Sequence, residues 1–276
     1  MVELRGGINT LPRDLAQQVS RLVLGFPFDL FLVERLYSQK LIRVDSYGSW
    51  TCASKPRLPI YKSRFRDSRT LGSVMFPDQL GSPFNNDRFE KFLWKTLFST
   101  ACDLQFLTHL LELHKREPSK IGATESEFFE DTYAAAQHLL VSLPHPVDVA
   151  NKSIIYYRQN CWRMGALLYF NIAIRQCPTP NLLKSMTSRL IESFQESDMS
   201  MAWAPFSDVL LWILFMGCCG SWDKTEKGWF VLELRRVVRI LDLHSVEEME
   251  DSLRAFLYRS SVFYEPLREI WEEHMQ

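Results

Sequence analysis

Residues 209–219 read VLLWILFMGCC, with no polar side chain on any face. A helix built from that segment is apolar all round and has to be enclosed by other elements, because no side of it can face water without cost. Asp208 bounds it on one side and Ser221-Trp222-Asp223 on the other, so it falls well short of the ~20 apolar residues that a membrane span needs. The expected structure is therefore a buried helix opened by Ser207, lying at the centre of the fold with Trp212 inside it. A chain with such a centre needs several helices to surround it.

The rest of the sequence supplies them. Leu outnumbers the β-branched aliphatics, 37 against 15 Val and 12 Ile, and Leu keeps rotamer freedom in a helix that Val and Ile lose. Phe230, Val231, Leu234, Val237, Val238 and Leu241 recur at helical spacing, with Glu233, Arg235, Arg236 and Arg239 opposite. Ser245 and Glu248 form a capping box, followed by Met249, Leu253, Phe256 and Leu257 as a buried face. A last helix is expected over Pro266–His274, with Ile270 and Trp271 inward. Upstream, Asp87 opens a helix running to His114, and Thr124 with Glu127 caps one ending near Leu143. Ser153–Gln176 places Ile154, Cys161, Gly165, Leu168 and Ile172 on one face, and Thr179-Pro180 opens the next helix. The fold class expected is all-α, compact over 87–276. Residues 1–43 carry two short amphipathic segments, Asp14–Leu24 and Phe28–Leu41, and 44–86 is broken throughout by Pro and Gly into an irregular, partly basic connection.

Charge and motifs exclude more than they identify. With 32 Lys+Arg against 33 Asp+Glu, the net charge of -1 gives no global field toward nucleic acid or an anionic membrane. Six cysteines stand at 52, 102, 161, 177, 218 and 219 without C-x(2–4)-C spacing, and MVELRGGINT at the start is not a secretory leader, so reduced, packing thiols are expected and no metal or cofactor is implied. The sequence has no G-x-S-x-G elbow, no phosphate-binding G-x-x-x-x-G-K-[ST] and no G-x-G-x-x-G. His109 and Glu112 share a helical face and read as a solvated pair, and Trp203, Trp212, Trp222 and Trp229 read as core and interface mass. Two basic groups invite a functional reading. Lys55, Arg57, Lys62, Arg64, Arg66 and Arg69 suit nuclear import or phosphate binding, against a plainer reading as a solvated loop. Arg235, Arg236 and Arg239 suit docking of an acidic partner, against a plainer reading as a solvated helix face.

Cys161-Trp162-Arg163 at the start of an apolar helix, then Leu211, Trp212, Phe215 and Gly217, then Trp229-Phe230 and the closing PLREIWEE of 266–273 together resemble the C-terminal part of the fungal-specific transcription factor regulatory domain. LGFPFDLFLVERL at 24–36 resembles an earlier helix start of the same domain. The resemblance implies an all-α regulatory module and a nuclear location, with the cytoplasm as the alternative. It also implies partners among other regulatory proteins and a small-molecule effector. The six-cysteine DNA-binding cluster of such regulators, with its paired C-x-x-C units, does not occur in these residues. The expected function is thus regulation through protein contacts, without direct sequence-specific DNA binding and without membrane insertion. The alternative is a helical enzyme or accessory protein of fungal secondary metabolism built on the same scaffold.

Overall fold

The computed structural model describes residues 42–44, 50–52, 93, 95–117, 123–142, 154–176, 178–196 and 203–275. Eight helices make up nearly all of it: α1 (Lys95–Arg116), α2 (Ala123–Ser142), α3 (Ile154–Tyr169), α4 (Pro180–Gln195), α5 (Ser207–Gly220), α6 (Lys224–Ile240), α7 (Val246–Arg254) and α8 (Ser260–His274). The all-α class is as expected. A short antiparallel pair, β1 (Ile42–Val44) and β2 (Trp50–Cys52), joins Arg43 to Thr51 in register, a regular element where the Pro and Gly content pointed to irregular chain. The segments at Asp14–Leu24 and Phe28–Leu41, the block at 24–36, and Lys55, Arg57, Lys62, Arg64, Arg66 and Arg69 lie outside the described residues.

α5 is the centre. It packs on α3, α4, α6 and α7 at once, and Leu211 through Met216 are wholly buried. Enclosure on every side is what a helix without a polar face requires. Trp212 stacks on Trp162 at 6.3 Å between ring centroids, meets Tyr169 at the same separation, and donates its indole N–H to the Leu257 carbonyl at 2.8 Å. The hydrogen bond removes the main cost of burying an indole.

Two glycines show how closely these helices approach. A Cβ on Gly217 would sit 2.3 Å from the Phe230 ring, so α6 lies against bare backbone there, whereas a Cβ on Gly228 would meet nothing within 4 Å. Both residues are helical, so both would gain about 1 kcal/mol of helix propensity as alanine. At 217 the buried ring has to move, at about 1–3 kcal/mol or more. Thermal melts should therefore show Gly217→Ala destabilised and Gly228→Ala stabilised, and a stabilised Gly217→Ala would contradict this packing.

The helix ends differ from expectation in physically instructive ways. Ser207 does not cap α5; Phe206 holds the cap position after a single 3-10 turn, and the Ser207 hydroxyl donates to the Ala204 carbonyl at 3.3 Å. Thr124 stands one residue inside α2, and α1 begins at Lys95 with Leu93 in a bend. α8 starts at Ser260, with Pro266 inside it; proline costs a helix one hydrogen bond but does not forbid it where packing holds the chain. Thr179 with Pro180, and Ser245 with Glu248, open α4 and α7 as expected, the latter through Glu248 N–H to Ser245 Oγ at 3.2 Å and the Glu248 carboxylate back to His244 N–H at 2.6 Å. Ile154 is exposed and leaves the face of α3 assigned to it.

α3 also does not run evenly to its end. At Phe170–Ile174 it widens into a π-turn. Within that turn the Asn171 side-chain amide donates to the Leu167 carbonyl at 2.8 Å, and the Arg175 N–H reaches back five residues to the Phe170 carbonyl.

Candidate functional site

The outer face of α6 follows directly from its apolar stripe. Phe230, Val231, Leu234, Val237 and Val238 are buried against the core, which turns Leu232, Arg236, Arg239 and Ile240 outward and leaves Arg235 half-buried. Leu232 and Ile240 are 52% and 70% exposed, too much for a core role. They stand on one row with Arg236 between them, since residues four apart are neighbours on a helix. Arg236 donates to Glu233 at 2.7 Å, while Arg235 and Arg239 have no ion pair among the described residues. The three arginines picked out from the sequence are thus brought together on one helix. Two exposed aliphatics, legible only as breaks in the polar face, join them.

A second group of polar residues is structural. Arg259, almost fully buried just before α8, donates through Nε to Glu112 at 2.9 Å and through Nη1 to the Ala173 carbonyl in the π-turn, and Ser261 donates to the same Glu112 oxygen at 3.1 Å. Burial pushes the Glu112 carboxyl up, but the Arg259 hydrogen bond and charge, with help from Ser261 and Arg116, outweigh it and hold it below the usual carboxylate range. This corrects the reading of His109 and Glu112 as a solvated pair: Glu112 is committed to Arg259, and burial together with Arg116 lowers the His109 imidazole. Arg163 donates to the Leu140 carbonyl at 3.0 Å, satisfying one of the orphan acceptors at the end of α2, and to Asn160 at 3.1 Å. Asn160 in turn donates to Ser193 on α4 at 2.8 Å.

Thiols and tryptophans behave mainly as packing. Cys161 and Cys218 are buried and free, Cys219 is half-buried and Cys102 is exposed. Burial pushes the Cys218 thiol up to about 12 and raises those of Cys161 and Cys219 as well, so all three stay protonated near neutral pH. No group of His, Cys, Asp or Glu among the described residues is placed to hold a metal ion. Trp203 and Trp212 are core, Trp229 packs against Phe194 and Phe230, and Trp222 is 62% exposed.

The described residues also form a concavity. A cleft of about 170 Å³ opens between the end of α3, the α5–α6 junction and α8, lined by Ile172, Phe263 and Ile270, by Cys218 and Cys219, and by the charged Lys227 and Glu269. Neither charged residue stood out in the sequence, where both fall in ordinary polar positions.

No helix among the described residues is long and apolar enough to cross a membrane. Comparison with protein-family models, with curated proteins and with solved structures finds no match to this chain.

Proposed function

We propose that this protein is a transcription-regulator-like helical module that acts through protein contacts, as its resemblance to the fungal-specific transcription factor regulatory domain implies. The observation that supports the reading is the outer face of α6, where exposed Leu232 and Ile240 run alongside Arg235, Arg236 and Arg239. Exposed ion pairs contribute little stability, so the arginines are not needed to hold α6 in place. Arginine beside exposed aliphatics is instead the composition of a protein interface. Its charge fits an acidic amphipathic helix, with carboxylates bound by the guanidinium forks and aliphatics set against Leu232 and Ile240. An effector that modulates this contact belongs to the same reading.

Fractionation of the cells that express the protein tests it. The wild-type chain should associate with chromatin, and reversal of Arg235, Arg236 and Arg239 to Glu should release it while lowering the melting temperature by no more than a few degrees. Equal chromatin association of the two, or a wild-type chain that stays off chromatin, would overturn the reading and bring forward the enzymatic alternative.

A further inference from the structure

The cleft beside the α5–α6 junction carries two opposite charges that form no ion pair among the described residues. Lys227 on α6 and Glu269 on α8 both line it. Neither side chain makes a hydrogen bond or ion pair with any described residue, and they do not pair with each other. Lys227 is half-buried and has no carboxylate partner among the described residues, so its ammonium is open to an anion brought from outside. On the α8 side, Pro266 has no N–H to give to the carbonyl of Val262 four residues back, and both residues line the same cleft as Glu269. A carboxylate and a carbonyl lacking its helical donor are a natural pair of acceptors for an ammonium group.

The cleft also has apolar lining residues, Ile172, Phe263 and Ile270, and the Cys218 and Cys219 thiols that line it are held neutral by burial. Its volume of about 170 Å³ suits a small guest, a cavity of ~150 Å³ being enough for benzene. We infer that the cleft binds a small zwitterion with a branched aliphatic side chain, of the class of the aliphatic α-amino acids. The carboxylate lies toward Lys227, the ammonium toward Glu269 and Val262, and the side chain against Ile172, Phe263 and Ile270. The inference stands on this cleft alone and does not require the α6 face to have a partner.

Calorimetric titration of the purified full chain with L-leucine tests it, alongside 4-methylpentanoate, which lacks the ammonium, 3-methylbutylamine, which lacks the carboxylate, and glycine, which lacks the side chain. L-leucine should bind saturably and raise the melting temperature by linkage, and each of the three fragments should bind at least about tenfold more weakly, the size of one lost charge-assisted hydrogen bond or one buried side chain. Lys227→Gln should weaken L-leucine on the order of tenfold while leaving 3-methylbutylamine unchanged, and Glu269→Gln should do the converse with 4-methylpentanoate. Glu269 is exposed and Lys227 half-buried, so the variants should fold; unchanged melting of the unliganded variants checks that. Absence of L-leucine binding to the wild-type chain would overturn the inference, as would equal binding of the fragments or indifference to both substitutions. None of these outcomes bears on chromatin association, so the cleft and the α6 face fail or stand separately.

Discussion

Trp212→Ala is expected to lower stability by about 3–5 kcal/mol, the range for deleting a large aromatic from a core that cannot collapse around the gap. Trp212 is wholly buried, touches two aromatic rings and makes a hydrogen bond to the Leu257 carbonyl. Its loss therefore empties the space between α3 and α5 and also strands an acceptor in the connection between α7 and α8. Domains of this kind have only ~5–15 kcal/mol in total, so the variant should unfold at markedly lower urea concentration. Trp212→Phe should recover part of the loss through the ring contacts but not the hydrogen bond. Trp222→Ala, at a position 62% exposed, serves as the control and should melt as the wild type does. Equal midpoints for the two alanine variants would displace α5 from the centre of the fold.

Arg259→Met should be the other severe substitution, at about 3 kcal/mol or more near neutral pH. It leaves the Glu112 carboxylate without its cation in a mostly enclosed position and removes the donor to the Ala173 carbonyl. The effect should depend on pH, and its sign follows from Glu112. The folded protein holds that carboxyl below its ordinary value of 4.5, so the pair's stabilisation is complete above about pH 4.5 and drains away as pH falls through the folded value, when Glu112 takes up a proton. Urea unfolding at pH 7 and again near pH 3 should therefore show the gap between wild type and Arg259→Met shrinking in acid. A gap that widened in acid would mean that Glu112 is not what Arg259 stabilises. Replacing both residues with Met should cost less than replacing Arg259 alone, because no unpaired charge is left behind.

These two sites also mark what the sequence could and could not disclose. Trp212 was legible because an apolar run with no polar face admits only one environment, and the stripe from Phe230 to Val238 was legible because its period is that of a helix. The Ser245–Glu248 box was legible because capping is chemistry between residues three apart. A helix end such as Phe206 was not, since no side-chain cap marks it. Nor was Pro266 within α8, because a local rule against proline gave way to burial of Phe263, Leu267 and Ile270 around it. Glu112 and Arg259 were out of reach altogether: they are 147 residues apart, and nothing local in either segment points to the other. For the same reason Lys227 and Glu269 looked like ordinary surface charges, while Arg235, Arg236 and Arg239, consecutive on one helix face, could be picked out together.

The length of chain between Glu112 and Arg259 also bears on time. Contacts among α5, α6, α7 and α8 are close in sequence and can form early, whereas bringing α1 to the start of α8 carries the loop-closure entropy of everything between. On that ground the contact of the guanidinium with its carboxylate and with the carbonyl of the π-turn is expected to form late. An interaction that forms after the folding barrier does little to hasten folding; it slows escape from the folded state. Arg259→Met is therefore expected to raise the unfolding rate more than it lowers the folding rate, which stopped-flow urea jumps would read.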